Sequence, residues 1–210
     1  MANGDLPGST TTDTGWKGIE HVQAAVDTIP YIGPVLRHLI DVMPSVQAHK
    51  AQEMLDALID CCATTPSLLV ERMRSEPRVQ RLVWEAARAA ADTEVTAKIR
   101  GLAAAAAPAV RDDAAIDESQ LRIRTLAELQ PLHVRALVEL EASAPIAEQE
   151  AVELDELLVI SKGLAAALAA DLIRLALVQT RGMSFTGLHT SVKLSDYGQE
   201  IFQYLRTEEA

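Results

Sequence analysis

The chain has 210 residues, of which 49% are hydrophobic and only 3% aromatic, and it carries a formal net charge of −11. A core built from Ala, Leu, Val and Ile favours close-packed helices, because Ala and Leu are strong helix formers. The acidity weighs against binding to nucleic acid or to an anionic membrane unless the few cations are clustered. Composition therefore predicts a mostly α-helical, cytoplasmic protein.

The N-terminal region predicts a tail followed by one amphipathic helix. Residues 1–14 lack the basic and apolar regions of a signal peptide, and we expect a disordered tail. In 29–43, IPYIGPVLRHLIDVM, apolar residues recur at helical spacing until Pro44 ends the pattern. The scarcity of cations beside this segment favours a core helix over a helix on a membrane surface. The face that would meet the core, a partner or a membrane consists of Ile32, Val35, Leu36, Leu39 and Ile40.

A helical bundle is predicted over 15–128. Residues 46–62 predict a helix with one apolar stripe, and Pro66 begins a shorter helix. Ser75 is placed to cap one long helix over 77–106. The Ala-rich end of that helix, GLAAAAA, allows another helix to approach closely, either within the chain or in a second copy.

Shorter elements close the bundle and open the C-terminal part. After a turn at 111–113, the stretch Asp117 to Gln120 has the Asp-x-x-Gln form of a capping box for a short helix. Pro131 then begins another helix. The pattern predicts, in order, an acidic helix over 148–160, a helix over 164–176, strands over 177–180 and 190–194, and a closing helix after Ser195.

This order of elements resembles winged-helix domains, over 129–206. In that class the third helix often runs into L-x-x-x-G-L-V, and the matching stretch here is Leu172 to Val178, with Ala176 where Gly is usual. The hairpin is often followed by L-T-x-x-G-x-x-L-x-x-x-L, which is matched here by Leu194 to Ile201 and then Leu205. The resemblance implies a mostly α fold, in which a helical bundle precedes a winged-helix-like domain with a small β-hairpin.

The N-terminal region is similar to a group of uncharacterised bacterial helical proteins. The residues that carry this similarity are Ile29-Pro30-Tyr31-Ile32-Gly33-Pro34, with a helical bundle after them. This resemblance implies no activity.

The third helix of the C-terminal part is chemically unlike a DNA-reading helix. Winged-helix DNA-binding proteins usually place it in the major groove, where Arg, Lys, Asn, Gln or Ser contact base edges. We expect it to expose mainly alanines, which cannot supply such bonds, and one acid, which would repel phosphate: Ala165, Ala166, Ala167, Ala169, Ala170 and Asp171. The acidic helix before it would repel phosphate. Cations are nevertheless in local excess, and the candidates for phosphate contacts are Lys162, Arg174, Arg181 and Lys193.

The sequence contains no pattern that indicates catalysis, a cofactor or a metal. Its five histidines show no metal-ligand spacing, and it has no Gly-rich phosphate loop. The stretch Gly182 to Gly187 is not G-x-S-x-G, because its second Gly comes one residue late. Cys61 and Cys62 are adjacent, which argues against an ordinary disulfide, and we expect buried, reduced thiols. The sequence therefore predicts no enzyme and indicates no small-molecule substrate.

The predicted function is a non-enzymatic regulatory or protein-interaction module, whose partner is another protein or a second copy of the chain. The first alternative is a DNA-binding regulator that uses the four cations for phosphate contacts. The second alternative is peripheral membrane association through the helix over 29–43, which the scarcity of flanking cations disfavours.

Overall fold

The computed structural model describes residues 45–143, 152–180 and 191–206. The predicted tail, the helix over 29–43 and Arg181 lie outside the described residues, as do Ile32, Val35, Leu36, Leu39 and Ile40. The described helices and strands, numbered in chain order, are α1 Ser45–Cys62, α2 Pro66–Ser75, α3 Pro77–Asp92, α4 Thr96–Arg111, α5 Ile116–Glu128, α6 Pro131–Ala142, β1 Val152–Glu153, α7 Leu154–Leu158, α8 Lys162–Arg174, β2 Val178–Thr180, β3 Ser191–Leu194 and α9 Asp196–Leu205. The prediction of a mostly α-helical chain with a small β-hairpin is confirmed.

The Ala-rich helix α4 forms the centre of the bundle, where it packs against α1, α3, α5 and α9. Five of its residues have no exposed surface: Leu102, Ala103, Ala105, Ala106 and Ala109. Gly101 allows α9 to approach closely, because a Cβ atom there would lie 2.9 Å from the carbonyl oxygen of Tyr204 in α9. Of the two roles left open for this helix, packing within the chain is observed, and pairing with a second copy stays a prediction.

The single long helix predicted over 77–106 is wrong, because the chain leaves the helical conformation at 93–95, between α3 and α4. Thr93 is extended there, and its Oγ1 accepts a hydrogen bond from the Val95 backbone N–H at 3.2 Å. The Lys50 ammonium of α1 donates to the Thr93 carbonyl oxygen at 2.6 Å. β-Branched residues lose side-chain freedom in a helix, and this contact from α1 further stabilises the break.

Two predicted helix caps are wrong. Glu76, rather than Ser75, caps α3, and its carboxylate accepts a hydrogen bond from the Arg78 backbone N–H at 3.0 Å. Helix α5 begins at Ile116 after a short 3-10 turn, so Asp117 lies inside its first turn and does not cap it. Asp117 instead forms an ion pair with Arg78, which joins α5 to α3.

The C-terminal part combines a three-stranded antiparallel sheet, in the order β1-β3-β2, with helices α6 to α9. The predicted hairpin is confirmed, since β2 pairs with β3 and Val178 lies opposite Leu194. The acidic helix predicted over 148–160 is wrong at Val152–Glu153, which form β1 because Val152 pairs with Val192. Pairing with a distant strand thus overrides a local pattern that favours a helix.

Ser195 and Gly198 hold the start of α9 against the residues before β2. The Ser195 Oγ accepts a hydrogen bond from the Gly198 N–H at 2.8 Å and donates to the Ala176 carbonyl at 2.6 Å. The Ser195 N–H donates to the Leu177 carbonyl at 3.0 Å. A Cβ atom on Gly198 would lie 1.9 Å from the same Leu177 oxygen, so only glycine fits at this position.

Ala176 ends α8 in the left-handed conformation, with a φ of 58°. The Leu177 N–H donates back to the Leu172 carbonyl at 2.9 Å, which is a common way to end a helix. Gly adopts this conformation without the steric cost that a Cβ atom brings. The geometry therefore gives a physical reason for the Gly of the pattern L-x-x-x-G-L-V and indicates that Ala176 is strained.

Polar contacts join α9 to α5. The Arg122 side chain is 13% exposed and forms ion pairs with Glu118 in its own helix and with Glu200 in α9. The Thr125 and Tyr197 hydroxyls share a hydrogen bond of 2.9 Å. All described residues belong to one compact unit, and the domain boundary predicted at 128–129 stays a prediction.

Candidate functional site

Helix α8 is buried on one side and exposed on the other. Its buried side consists of Ala165, Leu168, Ala169 and Leu172. The opposite side, which we call the α8 face, consists of Gly163, Leu164, Ala167, Ala170 and Ile173. Leu164 and Ile173 lie on its two flanks and are 46% and 39% exposed, with small residues between them. Arg174 and Asp171, which are 58% and 53% exposed, lie in the same arc of the helix, and Arg174 is paired with both Asp171 and Glu128. The α8 face therefore offers apolar contact beside charges that the chain itself balances.

The expected exposure of the alanines in α8 is only partly correct. Ala167, Ala170 and Asp171 are exposed as expected. The prediction is wrong for Ala165 and Ala169, which have no exposed surface. Residues four apart lie on the same side of a helix, and this spacing places both with the buried leucines.

The turn before α8 adds another exposed apolar side chain. Val159 is 87% exposed and has a left-handed backbone with a φ of 54°, which is costly for a β-branched residue. Among the described residues seven large hydrophobic side chains are exposed, and three of them, Val159, Leu164 and Ile173, belong to α8 or this turn. These three exposed side chains therefore lie within 15 residues of one another in the chain.

The cations proposed for phosphate contacts do not form one cluster of free charges. Lys162 at the start of α8 and Lys193 in β3 are exposed, and no described residue forms an ion pair with either. Arg174, at the end of α8, donates to Glu128 at 2.8 Å and lies 3.7 Å from Asp171. The Glu128 carboxylate raises the pKa of Arg174, whose charge is therefore already balanced within the chain.

His133 in α6 contacts both Gln130, which immediately precedes α6, and helix α8. Its Nδ1 accepts a hydrogen bond from the Gln130 backbone N–H at 3.0 Å, so this nitrogen carries no proton. Its Nε2 lies 3.8 Å from the Asp171 carboxylate of α8. Burial lowers the pKa of His133, although Asp171 opposes that shift. The neutral side chain therefore closes the first turn of α6 and links it to α8.

Lys98 of α4 binds main-chain carbonyl groups at the C-terminal end of α5. The residue is 3% exposed, and its ammonium donates to the main-chain carbonyls of Leu129 at 2.6 Å and Ala127 at 3.3 Å. Burial lowers the pKa of Lys98 to about 8. Lys98 also lines a cleft of about 550 Å³ between α3 and α5.

The two cysteines lie at the end of α1, and the expectation that both are buried is wrong for Cys61, which is exposed. Cys62 is half-buried, and its Sγ lies 3.8 Å from the Ala107 carbonyl oxygen. Burial raises the pKa of both thiols, which favours the unreactive protonated form.

In the described ranges, 45–143, 152–180 and 191–206, no group of three or more His, Cys, Asp or Glu side chains is placed to hold a metal ion. No helix in this part of the chain is long and apolar enough to cross a membrane. Comparisons of the chain with protein-family models, with curated proteins and with solved structures give no match. The residues themselves therefore carry the functional argument.

Proposed function

We propose that this protein is a non-enzymatic regulatory module that associates with a second copy of itself through the α8 face. The observation that carries the proposal is the chemistry of that face, which is apolar and whose neighbouring charges, Arg174 and Asp171, are paired, on a chain with a net charge of −11. Repulsion between like-charged surfaces opposes contact elsewhere, but it is weaker where a face is apolar and the charges beside it are of both signs. The small residues between Leu164 and Ile173 allow a second helix to approach closely.

The order of elements supports a winged-helix assignment for the C-terminal part. A helix and a short strand are followed by two helices, and then by a hairpin whose second strand lies at the centre of the sheet. Winged helices serve in contacts with proteins as well as with DNA, and a fold does not fix a function. The side chains on α8 therefore decide between these roles.

DNA binding is the second candidate, and it is favoured by Lys162 and Lys193, with which no described residue forms an ion pair. The α8 face argues against sequence-specific reading, because its aliphatic side chains cannot donate hydrogen bonds to base edges. Arg174 is engaged by Glu128 and would have to leave that ion pair to contact a phosphate. Among the candidate cations in the described part of the chain, DNA binding would thus depend on the two lysines, and phosphate contacts alone do not discriminate among sequences.

Sedimentation velocity over a concentration series of the full chain tests self-association. We expect a concentration-dependent dimer that becomes monomeric when Leu164→Glu and Ile173→Glu are combined. Leu121→Glu is the matched control, because Leu121 is a leucine of similar exposure, 57%, on a different helix, α5. A chain that is monomeric at all concentrations, or a dimer that the double variant leaves intact, would contradict the proposal.

Fluorescence anisotropy with a labelled duplex, over a salt series, tests the second candidate separately. Binding that weakens with salt and disappears when Lys162→Glu and Lys193→Glu are combined would establish a DNA-binding role. The absence of binding at low salt would remove it. Neither outcome affects the sedimentation result, so the two candidates are tested independently.

A further inference from the structure

The cleft between α3 and α5 has the size of a small-molecule site. Its volume is about 550 Å³, within the range usual for ligand pockets. Residues of α3 line one wall and residues of α5 the other. Lys98 of α4 and the connection from Leu129 to Pro131 complete the lining.

The charges in this cleft are segregated by sign. The α3 wall and the turn after it carry Glu85, Asp92 and Glu94 against one cation, Arg88. The α5 wall and the buried helix α4 carry Arg124 and Lys98, without an acid. The cleft is therefore negative on one side and positive on the other, although its charges cancel in sum.

Other charged side chains of the bundle form ion pairs with one another, whereas the charged side chains that line the cleft form none with described residues. Among the described residues, no side chain forms an ion pair or a side-chain hydrogen bond with Glu85, Arg88, Asp92, Glu94 or Arg124. The Lys98 ammonium has three N–H donors, and two of them reach main-chain carbonyls. Its third donor is taken by no described residue, although the side chain is 3% exposed.

We propose that this cleft binds a small zwitterion, with a carboxylate on the side of Arg124 and Lys98 and an ammonium group on the side of Glu85 and Asp92. α-Amino acids carry these two groups on a compact frame. A ligand with one charge would satisfy one wall and leave the other without a partner. This site is separate from the α8 face and does not depend on the function proposed for that face.

Isothermal titration calorimetry of the full chain with each of the twenty common α-amino acids tests the proposal. We expect at least one to bind with a millimolar or lower Kd. The tightest is then compared with its decarboxylated amine and its deaminated acid, each of which keeps one of the two charged groups. Each analogue is expected to bind at least about tenfold more weakly.

Variants of both walls connect this binding to the cleft. Asp92→Asn and Arg124→Gln each remove one exposed charge, and each is expected to weaken binding by about fivefold or more. Arg81→Gln is the control, because Arg81 is exposed on α3 but does not line the cleft. Circular dichroism confirms that each variant is folded. The proposal is overturned if no amino acid binds, if a single-charge analogue binds as tightly, or if both wall variants bind like the unmodified chain.

Discussion

Gly198 is the glycine at which the addition of one methyl group should lower the stability of the fold most. In Gly198→Ala the new Cβ would lie 1.9 Å from the Leu177 oxygen and 2.8 Å from its carbonyl carbon. A carbon and an oxygen come no closer than roughly 3.3 Å even in favourable contacts, so α9 and Leu177 must separate by roughly 1.4 Å. Both are main-chain groups, and no flexible side chain can move aside.

The cost of this separation follows from the contacts that it breaks. Moving the start of α9 disrupts the bonds from Ser195 to the Leu177 and Ala176 carbonyls, each worth about 1 kcal/mol. Overpacking adds about 1–3 kcal/mol. We therefore expect Gly198→Ala to lower the free energy of unfolding by about 3–5 kcal/mol, as measured by urea denaturation followed by far-UV circular dichroism.

Two other glycines provide matched controls for the same substitution. No atom lies within 4 Å of a Cβ on Gly163, so Gly163→Ala should be neutral or stabilising by up to about 1 kcal/mol through helix propensity. Gly101→Ala should fall between the two, because its Cβ would lie 2.9 Å from the Tyr204 oxygen. If Gly198→Ala is as stable as the unmodified chain, or the order of the three is reversed, the close approach of α9 to Leu177 is refuted.

Substitutions at three other positions should also change the stability. Ala176→Gly should raise the free energy of unfolding by about 1 kcal/mol, because φ is 58° there; a thermal melt without a shift would contradict the strain. Arg122→Met should cost about 2 kcal/mol by leaving Glu200 without its cation, and hydrogen exchange should increase in α9. Lys98→Met should cost about 1–3 kcal/mol, since it leaves two carbonyls without a donor. The Lys98 pKa falls from 10.5 to about 8 on folding, so the unfolded chain binds more protons than the folded protein between about pH 8 and 10.5. The free energy of unfolding should therefore rise with pH over this range. Lys98→Met should lose that rise. If urea denaturation gives the same pH dependence for Lys98→Met and for the unmodified chain, the burial of the ammonium is contradicted.

The positions of most helices could be predicted from local patterns. Apolar residues at helical spacing, with Pro66 and Pro131 at the first turns, placed α1, α2 and α6 correctly. The Ser195 cap placed α9 correctly, and the alternation around the hairpin placed β3. These elements are predictable because the residues that specify them are neighbours in the chain.

The candidate site could be predicted only in part. Helical spacing identifies α8, and a count of residues four apart would have separated buried Ala165 from exposed Ala167. The cleft could not be predicted, because Asp92 and Arg124 belong to different helices and only their packing brings them to the same cavity. Nor did the sequence show that Arg174 is engaged by Glu128, 46 residues earlier in the chain.

The sequence by itself therefore determined the helical class of this protein, the approximate positions of its helices and the hairpin near its C-terminus. Tertiary structure contributed to where α3 ends, because the Lys50 contact to Thr93 adds to the local hydrogen bond of Thr93. It also made Val152–Glu153 a strand, because their partners lie in β3. Local propensity is weak enough for one distant hydrogen bond or a strand pairing to override it, and such contacts exist only after the chain has folded.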